Sequence, residues 1–480
     1  MIPPTTTLIM EGTMIYDNAD GLRAAVDAAN GDIEEIRKGL IDDLVWTSVF
    51  SENGDAKQAA RNAIHDIAWA AGAIPASIHA LYEAIGSGEI DQKFTVPAHN
   101  IRTLTYDTAR ALFRAAVAKN VGALIVEIAR SEIGYTEQRP GEYAACVLAA
   151  AVKEGFQGPV FIQGDHFQAS AKKWFGDGRE SERAALEGLI EEAIAAEFYN
   201  IDIDTSTLVV LERDSVDEQQ RDNYEGTAHF TKFIRERQPD GIEISVGGEI
   251  GEVGAHNTSP EEFRAYIGGL NPLLPDGMRG VSKVSIQTGT SHGGVPLPDG
   301  SVAQVSIDFD RISEISQIAR EEYGISGSVQ HGASTLPEEV FDNFPKRETV
   351  EIHLATGFQN MVYDHASFPH DLREEIRAWC DDHCAGEKSA GQTEEQFFYK
   401  ARKRALGPFK RRIWDLPADV RSSIMKDLEA KFSFLFEKLA VANTKDLVER
   451  WVPVDSSKRP TRTTIASTDS MAFVNEGEGE

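Results

Sequence analysis

Three histidines and three carboxylates stand where apolar runs of this chain stop: Asp165 and His166 after Phe161-Ile162-Gln163-Gly164, Asp204 after Asn200–Ile203, Glu249 after a Gly-Gly pair, His292 in Gly289-Thr-Ser-His-Gly-Gly294, and His331 in His331-Gly-Ala-Ser334. Imidazoles and carboxylates together form the borderline donor set that Zn2+ favours. A carboxylate beside such a ligand, as Asp165 is beside His166, is placed for general acid-base work. Each residue alone has a bland explanation, a helix cap or a turn satisfied by backbone groups, and for His292 taken singly that explanation is the better one. The coincidence of His166, His292 and His331 favours a metal site. His99, His256 and His353 also lie near strands or rim loops, so spacing alone does not settle the ligand set. Two other clusters carry weaker signals. Lys283, inside an apolar run, has the placement of a Schiff-base lysine or of a paired buried one, and Cys380-Asp-Asp-His383-Cys384 offers three cramped ligands with no second pair.

Residues at strand ends share a site only if the fold brings those ends together. From Phe94 onward, β-rich apolar runs alternate with helix-length amphipathic segments. Eight strands are expected, over 94–99, 123–128, 159–163, 200–204, 242–249, 281–287, 325–331 and 350–354. Eight such alternations predict an α/β fold, a (β/α)8 TIM barrel whose C-terminal strand ends form one rim; a doubly wound open sheet is the alternative. The expected division is a helical N-terminal extension over 1–75, the barrel over 76–370, a C-terminal helical region over 371–452 and a disordered tail over 453–480, rich in Ser, Thr and Gly.

With 480 residues, 41% of them hydrophobic, the chain can bury a large core. No run approaches the roughly 20 apolar residues of a membrane helix, and the N-terminus lacks the layout of a secretory signal, so a cytoplasmic, membrane-free protein is expected. Three cysteines cannot make a disulfide framework. A net charge of −29 argues against nucleic acid as a partner and requires any anionic substrate to find a locally positive pocket. The basic cluster Lys403-Arg404 and Lys410-Arg411-Arg412 is one source of such charge, or else a solvated face.

Over about 77–356 the chain resembles the metal-dependent class II aldolases that cleave fructose or tagatose bisphosphate. Val96-Pro-Ala-His-Asn-Ile101 is similar to the family's "VPAFN", Gly164-Asp-His166 to its "DH" pair, Ile203-Asp-Thr-Ser-Thr207 to "IDGSH", Gly248-Glu-Ile-Gly251 to "ELG", Gly289–Gly293 to "GTxHG" and His331–Ser334 to "HGGS". The resemblance implies that His166, His292 and His331 bind a catalytic zinc, that Glu249 and Asp204 serve it or a second mono- or divalent cation, and that Asp165 handles the proton of the C4 hydroxyl. It implies that Gly293, Ser334 and Thr356 hold the phosphate of a phosphorylated ketose, with Asn100 and Arg130 as further substrate contacts, in a homo-oligomer of carbohydrate metabolism. The expected reaction is reversible retro-aldol cleavage to dihydroxyacetone phosphate and an aldehyde. The alternatives are an aldolase-like subunit with altered catalysis and a zinc-dependent hydrolase on the same barrel. The chain departs from the family pattern at its last strand, where His353 and Ala355 replace an amide and an acid, and after 123–128, where Ala129 replaces a serine. The substrate shell is therefore expected to be altered around a preserved metal cage.

Overall fold

The structure is a computed structural model that describes residues 6–8, 13–250, 256–289, 297–298, 307–454, 457 and 459–460. All eight expected barrel strands form: β1 Val96–Asn100, β2 Ile125–Ala129, β3 Gly158–Gln168, β4 Asn200–Asp204, β5 Ser245–Glu249, β6 Lys283–Ile286, β7 Ser328–Gln330 and β8 Glu351–Leu354. Each pairs in parallel with its neighbours and β8 pairs back to β1, closing the barrel. Parallel neighbours require crossovers, supplied by helices such as Thr105–Lys119, Pro140–Glu154, Arg179–Ala195, Val216–Arg237 and Phe309–Tyr323. The (β/α)8 expectation holds, and the open sheet is set aside.

The N-terminal segment is mostly helical but also supplies strands. Thr6–Leu8 and Met14–Tyr16 form an antiparallel pair, and Ala73–Pro75 adds in parallel to the start of β3. The helix His79–Gly86 lies across the N-terminal strand ends: the Ile78 N–H donates to Asn200 Oδ1 at 2.9 Å, the Ser245 N–H to Ser77 Oγ at 3.0 Å, and the Tyr82 hydroxyl to Glu351. After the barrel, the helix Ala418–Lys438 packs on Thr105–Lys119. Most of the basic cluster is neutralised within the chain, Arg404 by Glu387, Lys410 by Glu142, Arg411 by Asp415 and Arg412 by Glu375. Of the expected tail, 455, 456, 458 and 461–480 fall outside the described residues. No described helix is long and apolar enough to cross a membrane.

His99, the family-like motif's departure from phenylalanine, faces away from the rim. Its ring packs among Phe358, Phe432 and Phe436, and Nδ1 lies 3.0 Å from the Ile125 carbonyl oxygen. Burial lowers its pKa to about 4, so folded His99 stays neutral where the unfolded chain takes up a proton. Stability should therefore fall as pH drops from about 6.5 to about 4, by up to about 3 kcal/mol from this residue. In His99→Phe that loss should vanish while the Ile125 carbonyl loses its donor. Urea unfolding at pH 7 and pH 5 is expected to show the variant weaker at the first pH and the gap closing or reversing at the second.

Candidate active site

The sequence places the end of β3 at Gln163, with Asp165 and His166 in a turn. The strand instead runs on to Gln168 and accommodates them in a bulge. Gly164 pairs with Ile201 and Phe167 with Ile203, so two residues of β3 oppose one of β4. His166 takes φ of 40°, outside the extended region. A bulge is the means by which successive strand residues, which ordinarily point to opposite faces, are re-aimed toward one cavity. Gly164 belongs to the same device, because a Cβ there would collide with the Phe167 ring.

Around the bulge the candidate ligands meet. His166 Nδ1 lies 2.9 Å from Asp204 Oδ2 and 3.1 Å from Glu249 Oε2, and Glu249 Oε1 lies 3.7 Å from His331 Nδ1. The His166 and His331 rings stand edge to face with centroids 4.3 Å apart. Asp165, His166 and His331 present donor atoms within 4.8 Å of one another, as do His166, Asp204 and Glu249. All five residues are buried. Asp204 is also bound by Gln168 Nε2 at 2.6 Å and by the Ser206 N–H and hydroxyl at 3.0 and 2.7 Å, so its oxygens orient His166 from a fixed position. Although burial disfavours charge on His166, Glu249 and Asp165 raise its pKa well above the usual imidazole value. The carboxylate field that attracts a proton there equally attracts a divalent cation, and the N/O donor set suits one. His292 and Gly293 lie outside the described residues.

The other candidates are sorted by geometry. Asn100 donates from Nδ2 to Asp165 Oδ2 at 3.3 Å. The Ser334 hydroxyl oxygen accepts the Gly357 N–H at 3.0 Å, and the Thr356 hydroxyl accepts from Arg102 Nη1 at 3.0 Å. Both hydroxyl protons are thus left to point elsewhere. Arg130 is engaged by Glu182 and the Gln168 carbonyl. His256 is exposed beside Glu262 and away from the cluster, and His383 stacks on Trp379 rather than converging with the cysteines.

Of the polar filling of the barrel beneath the rim, sequence reasoning singled out Lys283 and His353, and the geometry bears out Lys283 as a paired buried lysine; Glu127, Gln163, Asp202 and Glu351 escaped it. Glu127, Gln163, Asp202, Lys283, Glu351 and His353 are all buried. Lys283 Nζ lies 2.9 Å from Asp202 Oδ2, donates to Gln163 Oε1 at 2.8 Å and pairs with Glu351. Gly247 makes room, since a Cβ there would strike Asp202 and Lys283. Burial opposes charge on Lys283, but Asp202 and Glu351 more than offset it and raise its pKa. A lysine kept protonated is no Schiff-base nucleophile. Burial pushes Asp202 up to about 6, and burial together with Asp165 pushes Glu127 up to about 8. Lys283→Met should leave Asp202 and Glu351 uncompensated and cost about 3–5 kcal/mol in urea unfolding. The available signal was the acid-apolar alternation in Ile201-Asp-Ile-Asp204 and Val350-Glu-Ile-His-Leu354: in strands covered outside by helices, a polar alternate face must point into the barrel.

Arg102 was missed too. It is buried, pairs with Glu132 at 2.6 Å and touches Thr356, placing a fixed cation behind that hydroxyl.

The profile described as fructose-bisphosphate aldolase class-II matches residues 89–412. No curated protein matches the chain. Among solved structures, a probable tagatose 6 phosphate kinase from Sinorhizobium meliloti 1021 is similar at 15% identity and a TM-score of 0.51, over 74% of this chain and 99% of that one. The fructose-bisphosphate aldolase of Campylobacter jejuni is similar at 16% identity and a TM-score of 0.44, over 76% and 94%. The YdjI aldolase of Escherichia coli K12 shows 15% identity and a TM-score of 0.39, over 70% and 96%. With the profile spanning two-thirds of its length, across every barrel strand, this chain belongs to the class II fructose-bisphosphate aldolase family.

Proposed function

We propose that this protein is a zinc-dependent class II aldolase, a carbon-carbon lyase that reversibly cleaves a phosphorylated ketose, similar to fructose or tagatose bisphosphate, into dihydroxyacetone phosphate and an aldehyde. The observation that carries the reading is the buried cluster of Asp165, His166, His331, Glu249 and Asp204 at the C-terminal mouth of a barrel of this family. His166 and His331, with His292 by sequence match, would hold the metal, and Glu249 and Asp204 would orient the imidazoles or serve a second cation. When bound there, a divalent cation supplies Lewis-acid polarisation of the ketone.

Asp165 takes the C4 hydroxyl proton as the C3–C4 bond breaks, leaving C4 as the aldehyde carbonyl and the bonding pair on the ketone fragment as an enediolate, which gains a proton at C3 from solvent to become dihydroxyacetone phosphate. In condensation Asp165 returns its proton to the C4 oxygen. Asn100 steadies it through Oδ2. Ser334 and Thr356 donate their hydroxyl protons to the phosphate, because fixed N–H donors already occupy their oxygens, and Gly293 adds a backbone N–H by sequence match. The cation behind this cradle is Arg102, while Arg130 is engaged by Glu182 and reaches substrate only if that pair opens.

The test combines metal analysis of the purified chain with cleavage assays on a panel of phosphorylated ketoses, detecting both carbonyl fragments. One zinc per chain and cleavage of at least one bisphosphorylated ketose are expected. Hydrolysis without a second carbonyl product would refute the lyase reading.

A further inference from the structure

The last barrel strand brings an imidazole to Asp165 from below. His353 Nδ1 lies 3.1 Å from Asp165 Oδ1 and 3.2 Å from Glu127 Oε1, while Nε2 lies 2.7 Å from Glu351 Oε1. Glu351 is held in turn: its Oε1 accepts from Gln163 Nε2 at 3.1 Å and pairs with Lys283, and its Oε2 accepts the Tyr82 hydroxyl from the helix across the barrel floor. Every member of this chain, Tyr82, Lys283, Gln163, Glu351, His353, Glu127 and Asp165, is buried. A side chain fixed at both ends inside a packed barrel has no room to reorient, so it fixes what it touches.

We infer that His353 is a positioning residue for Asp165: the imidazole, braced by Glu351 and Lys283, sets the carboxylate's orientation toward the substrate hydroxyl, while Asn100 restrains Oδ2. The inference rests on the aldolase reading of the site. It also accounts for the departure at this strand. Where the family pattern has an amide, this chain has a ring whose two nitrogens both face carboxylates, so the strand end acts on substrate through Asp165. Positioning of this kind is sensitive to small displacements, since an error of about 1 Å can cost about 10²-fold in rate.

The test is a double-mutant cycle on the zinc-loaded full chain with a ketose phosphate that the wild type cleaves. His353→Gln is expected to lower kcat by about 10²-fold with KM little changed, and to cost almost nothing further in an Asp165→Asn background. An equal loss in both backgrounds, or a rise in KM alone, would overturn the proposal by making His353 an independent contact. A second measurement holds even if His353→Gln does not fold or no ketose is cleaved. In the chain labelled with 15N-histidine, one slowly exchanging imidazole N–H line should move in Asp165→Asn, and a line of the same ring should move in Tyr82→Phe. If no protected imidazole N–H responds to Asp165→Asn, the contact is absent and the inference fails. If the lines respond but no ketose is cleaved, the braced contact stands and the reading of the reaction is what fails.

Discussion

Asp165→Asn is expected to lower retro-aldol cleavage by about 10²–10⁴-fold while the chain keeps its metal. The carboxylate is buried at the bulge of β3, restrained by Asn100 and His353 and beside His166, whose Nε2 lies 3.9 Å from Oδ1. Asparagine keeps the shape and an acceptor oxygen but cannot take up a proton, so binding and folding should survive where proton transfer does not. The measurement is kcat beside zinc content per chain. If residual rate instead tracks residual zinc, Asp165 is a ligand, as its closeness to His166 and His331 allows, and the acid-base assignment falls.

Removing the metal should have an effect at least as large. Dialysis against a chelator is expected to abolish turnover and zinc to restore it. His331→Ala should reproduce the loss permanently, because the ring that faces His166 and Glu249 cannot be replaced by its other neighbours. His166, Glu249 and Asp204 would remain, but with one imidazole fewer the donor set shifts toward oxygen and away from zinc. Metal analysis distinguishes the outcomes: a variant that retains stoichiometric zinc and full activity shows that the cluster at the rim is not the metal centre. His292→Ala is the parallel variant for the ligand expected from sequence alone.

Much of this was written in the order of residue types. Eight apolar runs alternating with amphipathic segments specified the barrel, because parallel strands need helical crossovers and local periodicity reports which segments are which. Residues at strand ends could then be assigned to one rim without coordinates, and Asp165, His166, Asp204, Glu249 and His331 do converge there. Their convergence follows from topology, which the alternation encodes.

Tertiary structure alone decided how neighbours along the chain share a cavity and which charges meet across it. Adjacent Asp165 and His166 act together through a bulge, and a bulge depends on the pairing register of β3 with β4, a long-range property. Asn100 turned out to hold Asp165, Arg130 to pair with Glu182, and Arg102 to stand behind Thr356. No spacing rule relates those partners, which come from different strands and helices. The column from Tyr82 through Lys283, Glu351 and His353 to Asp165 joins residues far apart in the chain. Each looks like an isolated polar residue in an apolar strand or helix until barrel closure removes water from all of them at once. Only then do they become one another's necessary hydrogen-bond partners.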